Sequence, residues 1–425
     1  MRVDQVFGIS PELRESSYVD RGELDVLLER TLRRTTHVAI RGPSKSGKSW
    51  LRQKVLDNPI VVQCRLRKPF TDIYVDALSQ LGIRLVVKET RTGSFKAQLS
   101  ATAKFGTELL AKVGLASQIE GSSSHQAEVR RVGQDIDDLR YVAEIIKESG
   151  KNLVVEDFHY MSTEDRRGFA FDMKTLWDYG LFVVIIGVWS ETNLLLHLNP
   201  DLAGRVVEIS VDWSPKDLER ILTKGGQALQ VVFSPEASAR LVGLAYSNAG
   251  VLQQLTLLAL DDAGIHERKN IQKQSLEGVK HVDNAAMEYA EQLNPVYQQF
   301  SRLVSSGIRS RKNATGIYAH AMAVIIDATD VSLVNGLSAK EIFDQAYQRQ
   351  PRIQLSNLKA ILEKIPELQV DEDGRGLVLT YNTATEEVSV VDRQLLLYRR
   401  YATVKWPWEN MIIEADEAGG EVEVG

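Results

Sequence analysis

Gly42-Pro43-Ser44-Lys45-Ser46-Gly47-Lys48-Ser49 sets two glycines, a lysine and a hydroxyl at the spacing that cradles a triphosphate. The glycines let backbone N–H groups turn onto an anion, and the N-terminus of a following helix adds partial positive charge. In such a loop Lys48 reaches the β- and γ-phosphates, the Ser49 hydroxyl ligates Mg²⁺, and Trp50 continues the first helical turn. The apolar run His37-Val38-Ala39-Ile40 just upstream supplies the strand that this strand-loop-helix reading requires. Hydrolysis needs acids from elsewhere, and Asn152-Leu153-Val154-Val155-Glu156-Asp157 is an apolar strand ending in two of them. Their order assigns Glu156 to the magnesium ion and Asp157 to the attacking water. Asp157 is one methylene shorter than a glutamate at that position, which predicts slow turnover.

Further polar groups stand at strand ends, where ligands of doubly wound sheets sit. After Leu181–Gly187 the chain turns polar, and Ser190 is the first candidate to meet the γ-phosphate or the water, with Asn193 second. Arg205 is either a guanidinium acting on a neighbouring copy's γ-phosphate or a helix-end cation in a salt bridge. His159 is read as structural. Cys64, inside Ile60-Val61-Val62-Gln63-Cys64, is read as core.

The elements that must hold these residues follow from the apolar pattern. Runs at His37–Arg41, Ile60–Leu66, Asn152–Glu156, Leu181–Gly187 and Val206–Val211 alternate with helical segments, which predicts an α/β fold with a parallel sheet and helices on both faces. A Gly/Ser/Ala/Thr-rich insert spans about 88–133, and its core fits a hairpin or an amphipathic helix. It is either a surface excursion or a contact with a partner or a second copy. Ser214-Pro215 opens a helix. Helices at Ser234–Tyr246, Val251–Asp262 and Gln274–Leu293 then make an α-helical lid. From Pro295 onward, helices at Tyr318–Ala328, Ala339–Tyr347 and Leu355–Ile365 precede a hairpin turning at Asp371-Glu372-Asp373-Gly374, the layout of a winged helix. The expected domains are thus 1–212 (phosphate-loop core), 213–294 (lid), 295–408 (winged-helix-like) and 409–425 (an acidic disordered tail).

Composition narrows the setting. The chain has 425 residues, 44% hydrophobic and 25% charged, enough for two or three domains. A single cysteine excludes an intrachain disulfide and fits a reducing compartment. The start lacks the layout of a signal peptide, and the apolar runs are too short for a bilayer, so a cytoplasmic protein with no membrane partner is expected. A net charge of −6 makes no whole-chain case for nucleic acid. Two local basic clusters remain, Arg309/Arg311/Lys312 and Arg399/Arg400/Lys405, while the expected third helix offers Lys359 alone and the expected wing tip is acidic. The aromatic and basic stretch from Leu395 to Trp408 is read as core or protein contact rather than a base-stacking surface.

Together these motifs resemble the AAA+ P-loop ATPases, in the branch that holds origin-recognition initiators and STAND signal-transduction ATPases. Ser17-Tyr18-Val19-Asp20-Arg21-Gly22-Glu23-Leu24-Asp25 is similar to that family's F-V-G-R-E-x-E-L box, which implies that Val19 and Arg21 lie beside the adenine. Val155-Glu156-Asp157-Phe158-His159-Tyr160 resembles stand-alone bacterial members associated with antiviral defence effectors. The resemblance implies ATP as the nucleotide, a homo-oligomer and a regulated protein effector. Its alternative is a DNA-binding loader of the replication-initiator or transposition-regulator type, gripping DNA through the C-terminal domain. One departure is evident: where the family's lid often carries an arginine, Asn248-Ala249-Gly250-Val251-Leu252-Gln253 offers Gln253. A missing lid arginine and a reversed acid order suit a nucleotide-gated switch better than a fast motor.

Overall fold

The apolar runs at the start of the chain pair into one parallel sheet, seen in a computed structural model that describes residues 1–65, 68–89, 95–101, 104–113, 136–189, 192–269, 273–306, 316–369, 377–409 and 412. Contacts divide the chain into two units: Gly22–Gly42 with Lys48–Val211, here the sheet unit, and Met1–Arg21 with Pro43–Gly47 and Asp212–Gly425, here the helical unit.

In the sheet unit the elements run α1 (Leu24–Leu32), β1 (His37–Arg41), α2 (Lys48–Val55), β2 (Ile60–Gln63), α3 (Asp72–Gln80), β3 (Ile83–Glu89), β4 (Phe95–Ala101), α4 (Lys104–Lys112), α5 (Ile136–Glu148), β5 (Leu153–Glu156), α6 (Thr163–Asp178), β6 (Val183–Gly187), α7 (Leu194–Leu198) and β7 (Val206–Ser210). Five strands form the parallel sheet in the order β2-β5-β6-β1-β7. Its register sets Val38 against Val184 and Val207, and Leu153 against Ile60 and Val183. The inner strands β1, β5 and β6 are buried on both faces because alternate residues belong to different cores. Ala39, Val155 and Ile185 pack with α3, α5 and α6, whereas Val38, Ile40, Val154 and Ile186 pack with Leu28 of α1 and Leu51 of α2. The described part of the 88–133 insert resolves the two options into a sequence of both: β3 and β4 pair antiparallel, Ile83 opposite Ala101, and α4 follows with Leu109 and Leu110 buried. Cys64 is core as expected, its Sγ 3.2 Å from Met161 Sδ and its thiol pushed up to about 12 by burial.

The helical unit continues with α8 (Pro215–Leu229), β8 (Val231–Phe233), α9 (Pro235–Leu244), α10 (Ala249–Asp262), β9 (Gln274–Leu276), α11 (Lys280–Ser306), α12 (Ile317–Asp327), α13 (Asp330–Asn335), β10 (Leu337–Ser338), α14 (Ala339–Arg349), α15 (Leu355–Leu362), α16 (Ile365–Leu368), β11 (Leu379–Asn382), β12 (Glu387–Val390) and α17 (Gln394–Tyr401). Ser214, Ser234 and Asn248 cap α8, α9 and α10 by accepting N–H bonds from their first turns. The N-terminal residues Val3, Val6 and Phe7 are buried in the same core, tied down by the Ser17 hydroxyl donating to Val6 O.

Three expectations change here. Gln274–Leu276 is not helical but a strand paired parallel with β8. The helix expected to end at Leu293 runs on to Ser306 through Pro295, so the 294/295 boundary falls inside α11. Burial of Tyr289, Leu293, Tyr297 and Phe300 along one side holds this helix together across the proline. The described C-terminal hairpin turns at Thr383–Glu386, and Leu368, expected to begin a strand, ends α16; the expected turn at Asp371–Gly374 lies outside the described residues. Asn382 Oδ1 accepts from Ala384 N and Thr385 N, a local turn signal. The strands β10, β12 and β11 form an antiparallel sheet in that order.

Candidate nucleotide site

In the sheet unit, chemistry converges where β1 and β5 end. Lys48 opens α2 and is buried, its Nζ donating to Gly42 O at 3.0 Å. Glu156, the last residue of β5, is buried and accepts from Arg52 Nε at 2.9 Å. Asp157 follows with φ of +58°, a left-handed conformation uncommon for a residue with a side chain. Burial first and then the neighbouring Glu156 charge raise its carboxyl above the ordinary range, against the pull of Lys48. His159 Nδ1 accepts from Val188 N at 3.3 Å, tying the residues after β5 to the end of β6. Burial, then the Lys48 and Arg166 charges, push its imidazole down to about 3, so it is neutral, as a structural histidine should be. Ser49 is exposed on the first turn of α2, beside partly buried Trp50.

In the helical unit, Pro43–Gly47 forms the apex of the phosphate loop, and three of its carbonyls accept from residues far along the chain. Ser44 O accepts from Asn248 Nδ2 at 2.7 Å, Lys45 O from Gly250 N at 3.0 Å, and Ser46 O from Trp213 Nε1 at 2.8 Å. With these carbonyls turned to protein donors, the loop is held from outside. Gly47 has φ of +85°, which favours glycine. Lys45 Nζ donates to Gln394 Oε1 at 2.7 Å. Gln394 also takes the Tyr289 hydroxyl and donates through Nε2 to Asp392, which in turn accepts from Tyr297. The box residues are here too: Val19 is buried, and the buried Arg21 guanidinium lies 4.3 Å from the centre of the Trp213 ring. An open cavity of about 320 Å³ lies beside Tyr18, Val19, Arg220 and Lys224. Gln253 is buried, its Nε2 donating to Ser17 Oγ at 3.1 Å.

The structure thus brings together Lys48, Glu156 and Asp157 in one unit and the loop apex with Val19 and Arg21 in the other. Ser190 lies outside the described residues. Asn193 takes a left-handed turn and its N–H bonds Glu208 Oε2 at 3.0 Å. Arg205 does not join Lys48. Its carbonyl accepts from His37 N at the start of β1, while the phosphate loop leaves the end of that strand, roughly 13 Å along it. Its guanidinium sits 4.8 Å from the Trp177 ring centre and donates to Asp201 O.

Four contributors escaped the sequence reading: Arg52, Trp213, Asn248 and Gln394. For Arg52 a signal exists, since it follows Lys48 by four residues and shares its helix face. Gln394 is 349 residues from Lys45, beyond any local pattern. Among the described residues no group of three or more His, Cys, Asp or Glu could hold a metal ion. Ser49, Glu156 and Asp157 are hard oxygen donors, a set that fits Mg²⁺ carried by one or two carboxylates plus phosphates. Among the described residues, no helix is long and apolar enough to cross a membrane.

No protein-family model matches the sequence, and no curated protein matches it. Among solved structures, the chain is similar to the Aeropyrum pernix Orc1 protein in complex with DNA, with a TM-score of 0.40 and 12% identity over 96% of this chain and 95% of that one. It is similar to a signal transduction ATPase with numerous domains and a tetratricopeptide repeat sensor from Pyrococcus horikoshii, with a TM-score of 0.37 and 11% identity over 99% of this chain but 47% of that one. A third is Cdc6p from Pyrobaculum aerophilum, with a TM-score of 0.34, 13% identity and 92% of both chains covered. At these values function rests on the residues themselves.

Proposed function

We propose that this chain is an AAA+/STAND-like ATPase that binds ATP with Mg²⁺, hydrolyses it slowly and acts as a switch, assembling with copies of itself to regulate a protein partner. The partner class that the sequence resemblance implies is a bacterial defence effector. The observation that carries the switch reading is the hydrogen bond from Lys45, in the phosphate loop, to Gln394 at the start of α17. A loop that changes with its phosphate ligand passes that change to α17 directly. We read α12, α14, α15 and the sheet of β10, β12 and β11 as a winged-helix domain, with α17 closing it.

Each residue then has a defined task. Lys48 is the cation for the β- and γ-phosphates, and Asp157 orients a water and accepts its proton as the water oxygen attacks the γ-phosphorus and the bond to the bridging oxygen breaks. A raised carboxyl pKa suits Asp157 to hold that proton. Ser49 and Glu156 would hold Mg²⁺, which when bound neutralises charge on the phosphates. Slow turnover follows from the short Asp157 side chain and from a lid sequence that offers Gln253, bonded to Ser17 Oγ, in place of the family's arginine.

Lys48→Ala and Asp157→Asn separate binding from chemistry. Titration with a fluorescent ATP analogue should show binding lost in the first and kept in the second, and phosphate release should fall at least about 100-fold in Asp157→Asn. Unchanged hydrolysis by a folded Lys48→Ala protein overturns the reading.

A further inference from the structure

The carboxylate at the magnesium position already has a cation. Lys48 and Arg52 lie one helical turn apart on α2, so one face of that helix sends an ammonium to the loop and a guanidinium to β5. Arg52 Nε meets Glu156 Oε1 at 2.9 Å, with the two side chains only 13% and 9% exposed. Lys112–Glu148 and Lys174–Asp178 of this unit are exposed and screened, while Arg41–Glu208, at 21% and 13%, is largely buried too. An arginine keeps its charge at any working pH, so the positive charge on Glu156 is permanent.

We propose that Arg52 is a resident counter-cation that competes with Mg²⁺ for Glu156, so that the site takes the metal only when nucleotide phosphates bring enough negative charge to outweigh the guanidinium. This rests on the assignment of Glu156 to the metal made above. A free divalent ion meets a carboxylate already neutralised in a nearly buried place, where charge interactions are stronger than in water. With a triphosphate on Lys48 and Ser49, the local balance turns negative and the metal gains oxygen ligands from the phosphates.

The test is the Mg²⁺ concentration at which a fluorescent ATP analogue reaches half its metal-dependent gain in affinity for the full-length chain, against the same titration in EDTA. Arg52→Gln keeps a hydrogen-bonding side chain and removes the charge. It should lower that concentration at least about tenfold, whereas Arg52→Lys should stay near the parent. An unchanged or higher Mg²⁺ requirement in Arg52→Gln overturns the proposal and makes Arg52 a positioning residue. Should Arg52→Gln not fold, Arg52→Met, which keeps an apolar stem without the charge, decides by the same titration: a lowered Mg²⁺ requirement supports the competition, and an unchanged one overturns it. Absence of nucleotide binding by the parent chain, with or without Mg²⁺, is a different failure and overturns the proposed function itself.

Discussion

His37 shows how much a single uncharged ring can hold. Its Nδ1 accepts from Val183 N at 3.0 Å and its Nε2 donates to Met173 O at 2.9 Å, so the neutral imidazole joins β1 to the starts of β6 and to α6. Burial pushes its pKa down to about 4, and His159 is held down at about 3. The unfolded chain takes these protons near the ordinary histidine value and the folded chain refuses them, so stability is complete above that value and drains as pH falls toward 4. For His37 the gap amounts to about 3 kcal/mol at its full extent. Asp157 and Asp172, whose carboxyls are raised mainly by burial, act with the opposite sign. The histidine contribution should therefore lower the melting temperature as pH falls from 6.5 to 5. A melting temperature that is flat over this interval by calorimetry would show that neither histidine is held neutral.

Helix α10 is where an element is shaped to meet the phosphate loop. Asn248 caps it, accepting from Gly250 N and Val251 N while its amide nitrogen reaches Ser44 O. A Cβ at Gly250 would stand 2.6 Å from Lys45 Cβ and 2.8 Å from Lys45 O, so only glycine permits this approach. Gly250→Ala should destabilise the protein by about 1–3 kcal/mol through overpacking. At Gly243 in α9 no atom lies within 4 Å of a built Cβ, and Gly243→Ala should be stabilising by about 0.4–1 kcal/mol. Equal melting temperatures for the two variants would show that α10 does not press on the loop. How much of this was legible differs by element. The buried strands and the phosphate loop were readable because continuous apolar runs and fixed glycine spacing are local signals, and Ser214-Pro215 announced α8 in the same way. The contacts of α10 and α17 with the loop were not, since Asn248, Gly250 and Gln394 carry no local pattern that names a partner. The described hairpin was missed because Asp371–Gly374 is the stronger turn by composition, yet its strand pairing follows the alternate burial of Leu379, Tyr381, Val388 and Val390.

At the scale of the whole molecule the choice is between assembly on protein and assembly on DNA. Of the basic groups that a DNA reading would need, Lys359 and Arg399 are in use, whereas Arg400 and Lys405 are exposed. Lys359 of α15 is paired with Glu386 at 2.6 Å, and Arg399 closes the end of α12 on Ile326 O and Ala328 O and pairs with Asp330. Trp406 and Trp408 are buried and stacked at 4.8 Å, not open to bases. Arg309, Arg311 and Lys312 lie outside the described residues. With a net charge of −6 besides, a sequence-independent grip on phosphates has little to draw on. On the proposed switch reading, Arg205, at the end of β1 remote from its own loop, is the guanidinium offered to a neighbouring copy's nucleotide, for which it would leave the Trp177 ring. ATP with Mg²⁺ should therefore raise the oligomeric mass seen by mass photometry without DNA, and Arg205→Ala should abolish that gain while leaving fluorescent-nucleotide affinity within about twofold, since the residue touches no part of its own site. Arg205→Lys keeps the charge but not the planar fork, and should also fail to assemble. Normal assembly by Arg205→Ala would return this residue to the role of a salt-bridging or ring-stacking cation, and assembly that requires duplex DNA would transfer the proposal to the loader reading and make Arg309, Arg311 and Lys312 the residues to change next.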